Sequence, residues 1–292
     1  MSWKPARGSG MMTAVSIGVL PLIMLCVLMA AGCGVNVGPT QELKIDEPLN
    51  SAAVTDVNLS MGAGKLSLSA GASGLISGTV RYNVGSWKPT VTKSDGSVAV
   101  KQGSQKGISG LGSDIINDWT LRLGKSPMRL TVTAGAYEGN YALGGLTLQG
   151  LSIKDGAAKT QVTFDSPNPG QIDTFSYETG ASKVSMTGLA NANFKSMTFK
   201  GGAGSYTLDF SGSLRTDADV KVKAGVGTVQ VVVPKGTAAE VIVSGSLTDV
   251  SVDGPWTTNG DTHTTPAMAG GSGKKLTISV DMSVGTLKLV TQ

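Results

Sequence analysis

The segment Phe194-Lys195-Ser196-Met197-Thr198-Phe199 is followed, across Gly201-Gly202-Ala203-Gly204, by Tyr206-Thr207-Leu208-Asp209-Phe210. Alternation places Tyr206, Leu208 and Phe210 on one face of an extended chain, the period-two pattern of a half-buried strand. Two short strands joined by a glycine corner form a unit, and the unit recurs. Its corner returns at Gly62-Ala63-Gly64, Gly135-Ala136-Tyr137, Gly156-Ala157-Ala158, Gly180-Ala181-Ser182, Gly225-Val226-Gly227 and Ser283-Val284-Gly285. From Gly135 to Gly225 the steps are 21, 24, 22 and 23 residues, and a near-constant step indicates stacked copies of one unit. A coil of about 22 residues that buries one face against the next is a β-solenoid, whose corners use glycine for φ > 0 or for close packing. Gly202 and Gly225 are the positions where that requirement is expected. An antiparallel β-sandwich of hairpins is the alternative, because it also yields short strands at 8 to 12 residue intervals.

Composition agrees with an all-β chain. Of 292 residues 41 are Gly, charged residues make up 15 % and aromatics 5 %, and polar positions carry Ser, Thr, Gly and Asn rather than the residues of helix surfaces. The formal charge of +4 falls to +2 without Lys4 and Arg7, so no basic surface for nucleic acid is indicated.

Residues 1–32 carry an address. Lys4 and Arg7 precede an almost wholly apolar run, Ala14 to Met29, that ends in Met29-Ala30-Ala31-Gly32-Cys33. A basic start, an apolar core and a small-residue end define a secretory signal. Small residues directly before a cysteine resemble the lipobox of bacterial lipoproteins, although Ala30 stands where Leu is usual. The resemblance implies cleavage before Cys33, lipidation of its sulfur, and display on the extracytoplasmic face of a bacterial membrane. An uncleaved transmembrane anchor is the competing reading, since the run approaches the roughly 20 residues of a span; Pro21 and the small-residue end oppose it. Cys26 belongs to the signal core, so the mature chain has no cysteine pair to bridge.

Residues 33–52, with Gly38-Pro39 and Asp46-Glu47-Pro48, read as a flexible tether. Such a chain would hold the folded part about 20 Å from the membrane and at most roughly 55 Å. Gly62 lies 73 residues before the next corner, which suggests an N-terminal domain over 53–127 and a solenoid over 128–292. Trp256 to Lys274 reads as a surface excursion.

The stretch from Val57 to Leu68, with Val80-Arg81-Tyr82-Asn83 and Trp87-Lys88-Pro89, resembles the N-terminal domain of the toast-rack family, and Gly188 to Gly212 is similar to its rack portion. The resemblance implies a β-solenoid rack. It transfers no catalytic residue, and it implies a part in envelope stress only through distant relatives that respond to wall-active antibiotics.

The residues with chemical potential favour structure over catalysis. Strands, not helices, follow the Gly-Xaa-Gly corners, so these are turns and not phosphate cradles. His263, the single histidine, lies in Asp261-Thr262-His263-Thr264-Thr265 and reads as an exposed loop residue; zinc needs further His or Cys ligands, and no nucleophile-elbow motif is present. Asp209, Asp217, Asp219 and Asp249 lack calcium-loop spacing. No metal or cofactor is expected. Trp87, Trp119, Tyr137 and Tyr141 remain as candidates for ligand or partner contact through aromatic faces, with core packing as the plainer role. The chain is therefore expected to be a non-enzymatic, lipid-anchored envelope protein that works by interaction, adhesion or spacing, its partners being the membrane through Cys33 and another envelope protein or surface polymer. The alternative is an envelope module that binds glycan or lipid.

Overall fold

The computed structural model describes Met1 and residues 36–103, 114–271 and 273–292. The described residues from 36 onward form one compact unit. Among the described residues fifteen strands make a single sheet: β1 (Val37–Glu47), β2 (Thr55–Ala70), β3 (Ile76–Val84), β4 (Thr90–Ser94), β5 (Ser97–Lys101), β6 (Asn117–Leu123), β7 (Met128–Ala142), β8 (Leu148–Thr163), β9 (Thr174–Thr187), β10 (Ser196–Asp209), β11 (Ala218–Val233), β12 (Ala238–Asp253), β13 (Thr257–Asn259), β14 (Thr262–Thr264) and β15 (Lys275–Thr291).

The repeated unit is a stacked coil, as its spacing predicts. β2, β7, β8, β9, β10, β11, β15 and β12 lie side by side, every neighbouring pair parallel. Parallel ladders rule against the antiparallel sandwich. The two halves read in each unit are one continuous strand that passes through the corner: β10 runs from Ser196 to Asp209 without a break. Inward side chains before and after the corner meet in the core, as where Phe199 lies 5.0 Å from Tyr206 between ring centroids. Rings also meet from coil to coil, Tyr177 stacked on Phe199 at 5.5 Å and Phe175 edge-to-face with Phe194 at 5.6 Å, which extends one apolar core along the whole stack.

The corners depend on glycine for the second of the two expected reasons. Gly202 and Gly225 do not have positive φ; they are glycine because the coils touch there. A Cβ on Gly225 would stand 2.6 Å from the carbonyl oxygen of Gly202, and one on Gly156 would stand 2.9 Å from that of Gly135. Positive φ appears two residues on, at Gly227 with φ 137°.

The tether expected over 33–52 is corrected, because Val37–Glu47 is strand β1, paired antiparallel with β3. Leu43 and Ile45 alternate with Glu42, Lys44 and Asp46, and the buried Ile45 joins the main core; Tyr82 donates its hydroxyl hydrogen to Gln41 Oε1 at 2.9 Å. The division at 127/128 is also absent. β2 pairs with β7 from Thr55↔Met128 to Ser69↔Ala142, so residues 55–70 are the first coil. Its other edge carries β5 along the first half and β6 along the second, and β1, β3 and β4 complete a cap.

At the far end the order departs from the chain. β15 lies between β11 and β12, with Gly227↔Gly285 on one side and Val243↔Val280 on the other. The expected surface excursion supplies the hairpin β13–β14, which covers the outer edge of β12 at Glu240–Ile242.

Two predictions follow from this packing. Gly225→Val should lower stability by about 1–3 kcal/mol through overpacking against the Gly202 carbonyl, whereas Lys221→Ala should leave the melting temperature unchanged; equal melting of the two variants would contradict the contact. A chain ending at residue 273 loses β15, the strand between β11 and β12, and should unfold at lower denaturant with a broadened transition. An unchanged midpoint would show that β15 does not hold β11 and β12 together.

Candidate functional site

The corner of the first coil is fixed by a buried polar network. Gln102 Oε1 accepts from Gly62 N at 2.7 Å and from Asn117 Nδ2 at 2.9 Å, while Asn117 Oδ1 accepts from Trp119 Nε1 at 2.9 Å. Trp119 therefore belongs to the core with its single polar atom satisfied. Tyr141 is likewise a core residue, donating to the Tyr137 hydroxyl at 2.8 Å.

Trp87 and Tyr137 are different. Both are buried, at 1 % and 6 % exposure, yet both line a hollow of about 350 Å³ with Ala63, Ile115 and Ala136, rimmed by Lys65, Asp118 and Glu138. Trp87 packs with Ala63, Val84 and Ile115 in a small cluster separate from the main core. Tyr137 turns inward because its neighbour two residues on is Gly139, where a Cβ would stand 2.9 Å from its ring. The structure thus brings two of the four aromatic candidates, Trp87 and the core residue Tyr137, to one hollow, and keeps Trp119 and Tyr141 in the core away from it. Lys65 and Glu138 also border a second, more polar hollow of about 170 Å³ with Ser67, Asn140, Lys159 and Gln161. These polar residues carry no sequence motif; only the register Lys65↔Glu138↔Lys159 aligns them.

Behind Tyr137 lies a cluster built from four coils. Asp155 Oδ2 accepts from Tyr177 at 2.6 Å and from Tyr137 at 3.3 Å, and Thr160 Oγ1 donates to the Tyr137 hydroxyl at 3.4 Å. Burial, with the adjacent Asp155 charge, pushes the Tyr137 and Tyr177 hydroxyls far above the ordinary tyrosine range, so both remain donors at any physiological pH. Asp155 Oδ1 and the Tyr206 hydroxyl are buried with no partner. Gly201 leaves room for the Tyr206 ring, where a Cβ would stand 2.5 Å from Cζ.

His263 is not the exposed loop residue expected. It lies on β14 opposite Val241, 5 % exposed. It lines a hollow with Ser244, Val250 and Asp261, a grouping whose residue types suit hydrolysis. The bonding is otherwise: His263 Nδ1 is held by Thr258 Oγ1 at 3.0 Å, and the Ser244 hydroxyl donates to the Val280 carbonyl at 3.2 Å. Neither is arranged as base or nucleophile toward the other. Among the described residues no group of three or more His, Cys, Asp and Glu could hold a metal ion, and no helix is long and apolar enough to cross a membrane. Cys33 and the signal segment lie outside the described residues.

A parallel stack of bent coils, capped at one end and closed at the other by an inserted strand, defines a β-solenoid rack. Residues 36–174, and again 174–232, match the family described as the N-terminal domain of toast_rack, DUF2154; the second match begins at β9, on further copies of the same coil. The match spans more than half of the chain, which belongs to the toast-rack family. No curated protein matches it. Among solved structures it is similar to a candidate cell adhesion protein from Clostridium sporogenes, at 20 % identity and TM-score 0.49, covering 87 % of this chain and 100 % of that one. It is also similar to a candidate adhesin from Bacteroides fragilis (11 %, TM-score 0.31) and to a candidate lipid binding protein from Parabacteroides distasonis (10 %, TM-score 0.34), each covering 86 % of this chain and 96 % of the other.

Burial lowers the His263 pKa, with the nearby Asp261 charge opposing. The folded state therefore resists protonation that the unfolded chain accepts, and this stability is complete above about pH 6.5 and lost as pH falls through the folded pKa. Wild type should lose unfolding free energy as pH falls below about 6.5 relative to His263→Gln, which can still bond Thr258 without titrating. Parallel pH profiles of the two proteins would show that His263 is not held neutral by the fold.

Proposed function

We propose that this toast-rack protein is a non-enzymatic, lipid-anchored component of the cell envelope whose rack acts as an interaction, adhesion or spacer element. The observation that carries the reading is the outward surface of the eight stacked coils. Register aligns short polar side chains into columns, Ser152–Ser176–Thr198 before the corner and Gln161–Ser185–Thr207 after it, with exposed Val226 and Val284 adjacent on the corner itself. Broad, regular faces of this kind suit contact spread over area rather than chemistry at a point.

The anchor part of the reading rests on Met29-Ala30-Ala31-Gly32-Cys33. Two or three acyl chains would hold the protein on the extracytoplasmic face of a bacterial membrane far more firmly than one. Only three residues lie between Cys33 and Val37, the start of β1, and the four steps from one to the other reach at most about 14 Å. The cap of the rack would stand close against the membrane, with another envelope protein or surface polymer as its partner. A part in envelope stress enters only through the family resemblance. The alternative, an envelope module that binds glycan or lipid, is favoured by one observation: the hollow beside Trp87 and Tyr137.

Mass spectrometry of the mature N-terminus should find a lipidated Cys33 in wild type and an uncut or differently cut chain in Cys33→Ser; an unmodified Cys33 refutes the anchor. His263→Ala should lose stability, because it empties a buried position, but should keep surface display and envelope phenotype. Purified protein should turn over no ester, peptide or glycoside substrate, and turnover abolished by His263→Ala would overturn the non-enzymatic reading.

A further inference from the structure

We infer that the first coil carries a site for a membrane amphiphile, with the alkyl chain lodged between Trp87 and Tyr137 and an electrically neutral polar head lying along Lys65, Glu138 and Lys159. This deepens the alternative reading above and rests on it. The apolar hollow of about 350 Å³ falls within the roughly 300–1,000 Å³ of small-molecule sites. Its walls are Ala63, Trp87, Ile115, Ala136 and Tyr137, and its charges stand at the rim. It does not end there. Lys65 and Glu138 are shared with the adjoining hollow, whose further walls are Ser67, Asn140, Lys159 and Gln161. An apolar hollow that shares Lys65 and Glu138 with a polar neighbour calls for a ligand that is apolar at one end and hydrogen-bonding at the other.

Charge narrows the head. Lys65 and Lys159 are offset by Asp118 and Glu138, so the combined site has no net charge to favour an anion, while Ser67, Asn140 and Gln161 provide donors and acceptors suited to hydroxyls or a zwitterion.

Position supplies the source. Val37 pairs with Val84, three residues before Trp87, and Asn83 bonds the backbone of Ile116 beside the pocket at 2.8 Å. The hollow therefore lies at the end of the molecule where the chain leaves toward Cys33. A lipid drawn from the adjacent leaflet is the occupant.

The test reconstitutes the mature protein, its N-terminus intact, into phosphatidylcholine vesicles containing phosphatidylcholine with a diazirine in its acyl chain. A second arm supplies a diazirine-bearing lysophosphatidylcholine from solution, below micelle formation. After illumination, adducts with the probe's mass are expected on peptides containing Trp87, Ile115 or Ala136 in both arms. Ala136→Trp, an exposed position whose new ring fills the hollow, should lower the yield about tenfold with melting unchanged, and Lys159→Glu should lower it less. Adducts confined to residues 33–47, or equal yields in wild type and Ala136→Trp, would overturn the site. So would a pocket free of probe because the chain's own Cys33 acyl group fills it, seen as protection lost in Cys33→Ser. The arm in solution does not depend on the anchor, so an unlipidated Cys33 sinks the membrane attachment while leaving the pocket result legible.

Discussion

The rack depends on how closely one backbone can approach the next at the corner. Gly62, Gly135, Gly156, Gly180, Gly202 and Gly225 stand in a column, each from Gly135 onward facing the carbonyl of the one before it. A side chain at any of the five from Gly135 to Gly225 would push two coils apart at the bend. That separation would be felt along both halves of the strands, because ladder hydrogen bonds and the stacked rings of the core need neighbouring coils at about 4.8 Å. Adjacent columns then become structural opportunities. The residue between the glycines points outward and forms a line from Ala136 through Ala203 to Val226 and Val284, and the inward residues on either side build the core.

Departures from this regularity are where chemistry gathers. Tyr137 stands in register with Gly64 on one side and Ala158 on the other, and folding its ring inward demands Gly139 beneath it and partners for its hydroxyl in Asp155, Thr160 and Tyr141. Burying a carboxylate among tyrosines costs desolvation, offset by charge-assisted hydrogen bonds. A cluster of this kind also distinguishes the correct stacking of β7 to β10 from a slip by one coil, since only one register brings donors to Asp155. The same irregular corner opens the hollow between Trp87 and Tyr137.

The two ends of the stack solve the edge problem differently. A parallel stack exposes unpaired backbone at each end, which invites association with other chains. At the start, β5 and β6 share the edge of β2 and turn the sheet through antiparallel β3 to β1. At the other end, the last strand returns to pair between β11 and β12, and the β13–β14 hairpin covers part of the outermost coil.

Strand character, corner positions and the coil step were legible in the sequence, because glycine spacing and period-two alternation are local records of a local geometry: Tyr206, Leu208 and Phe210 are inward, as their alternation requires. β1 was partly legible in the alternation of Leu43 and Ile45, but Gly38-Pro39 and the neighbouring polar residues spoke for a tether, and only pairing with β3 settles the matter. Burial of His263 was hidden because its neighbours in sequence are Thr and Asp, while what covers it comes from β12. Trp87 and Tyr137 could be named as aromatics with potential; that they share a hollow while Trp119 and Tyr141 do not is decided by register between segments some 50 residues apart. The insertion of β15 had no local sign at all, since its sequence suits any position in the stack. The unit and its repeat are written in local pattern, because their energetics are set within a few residues. The order of the last coils and the walls of the site were decided only in the tertiary structure, where contacts between distant segments choose among strands of equal local merit.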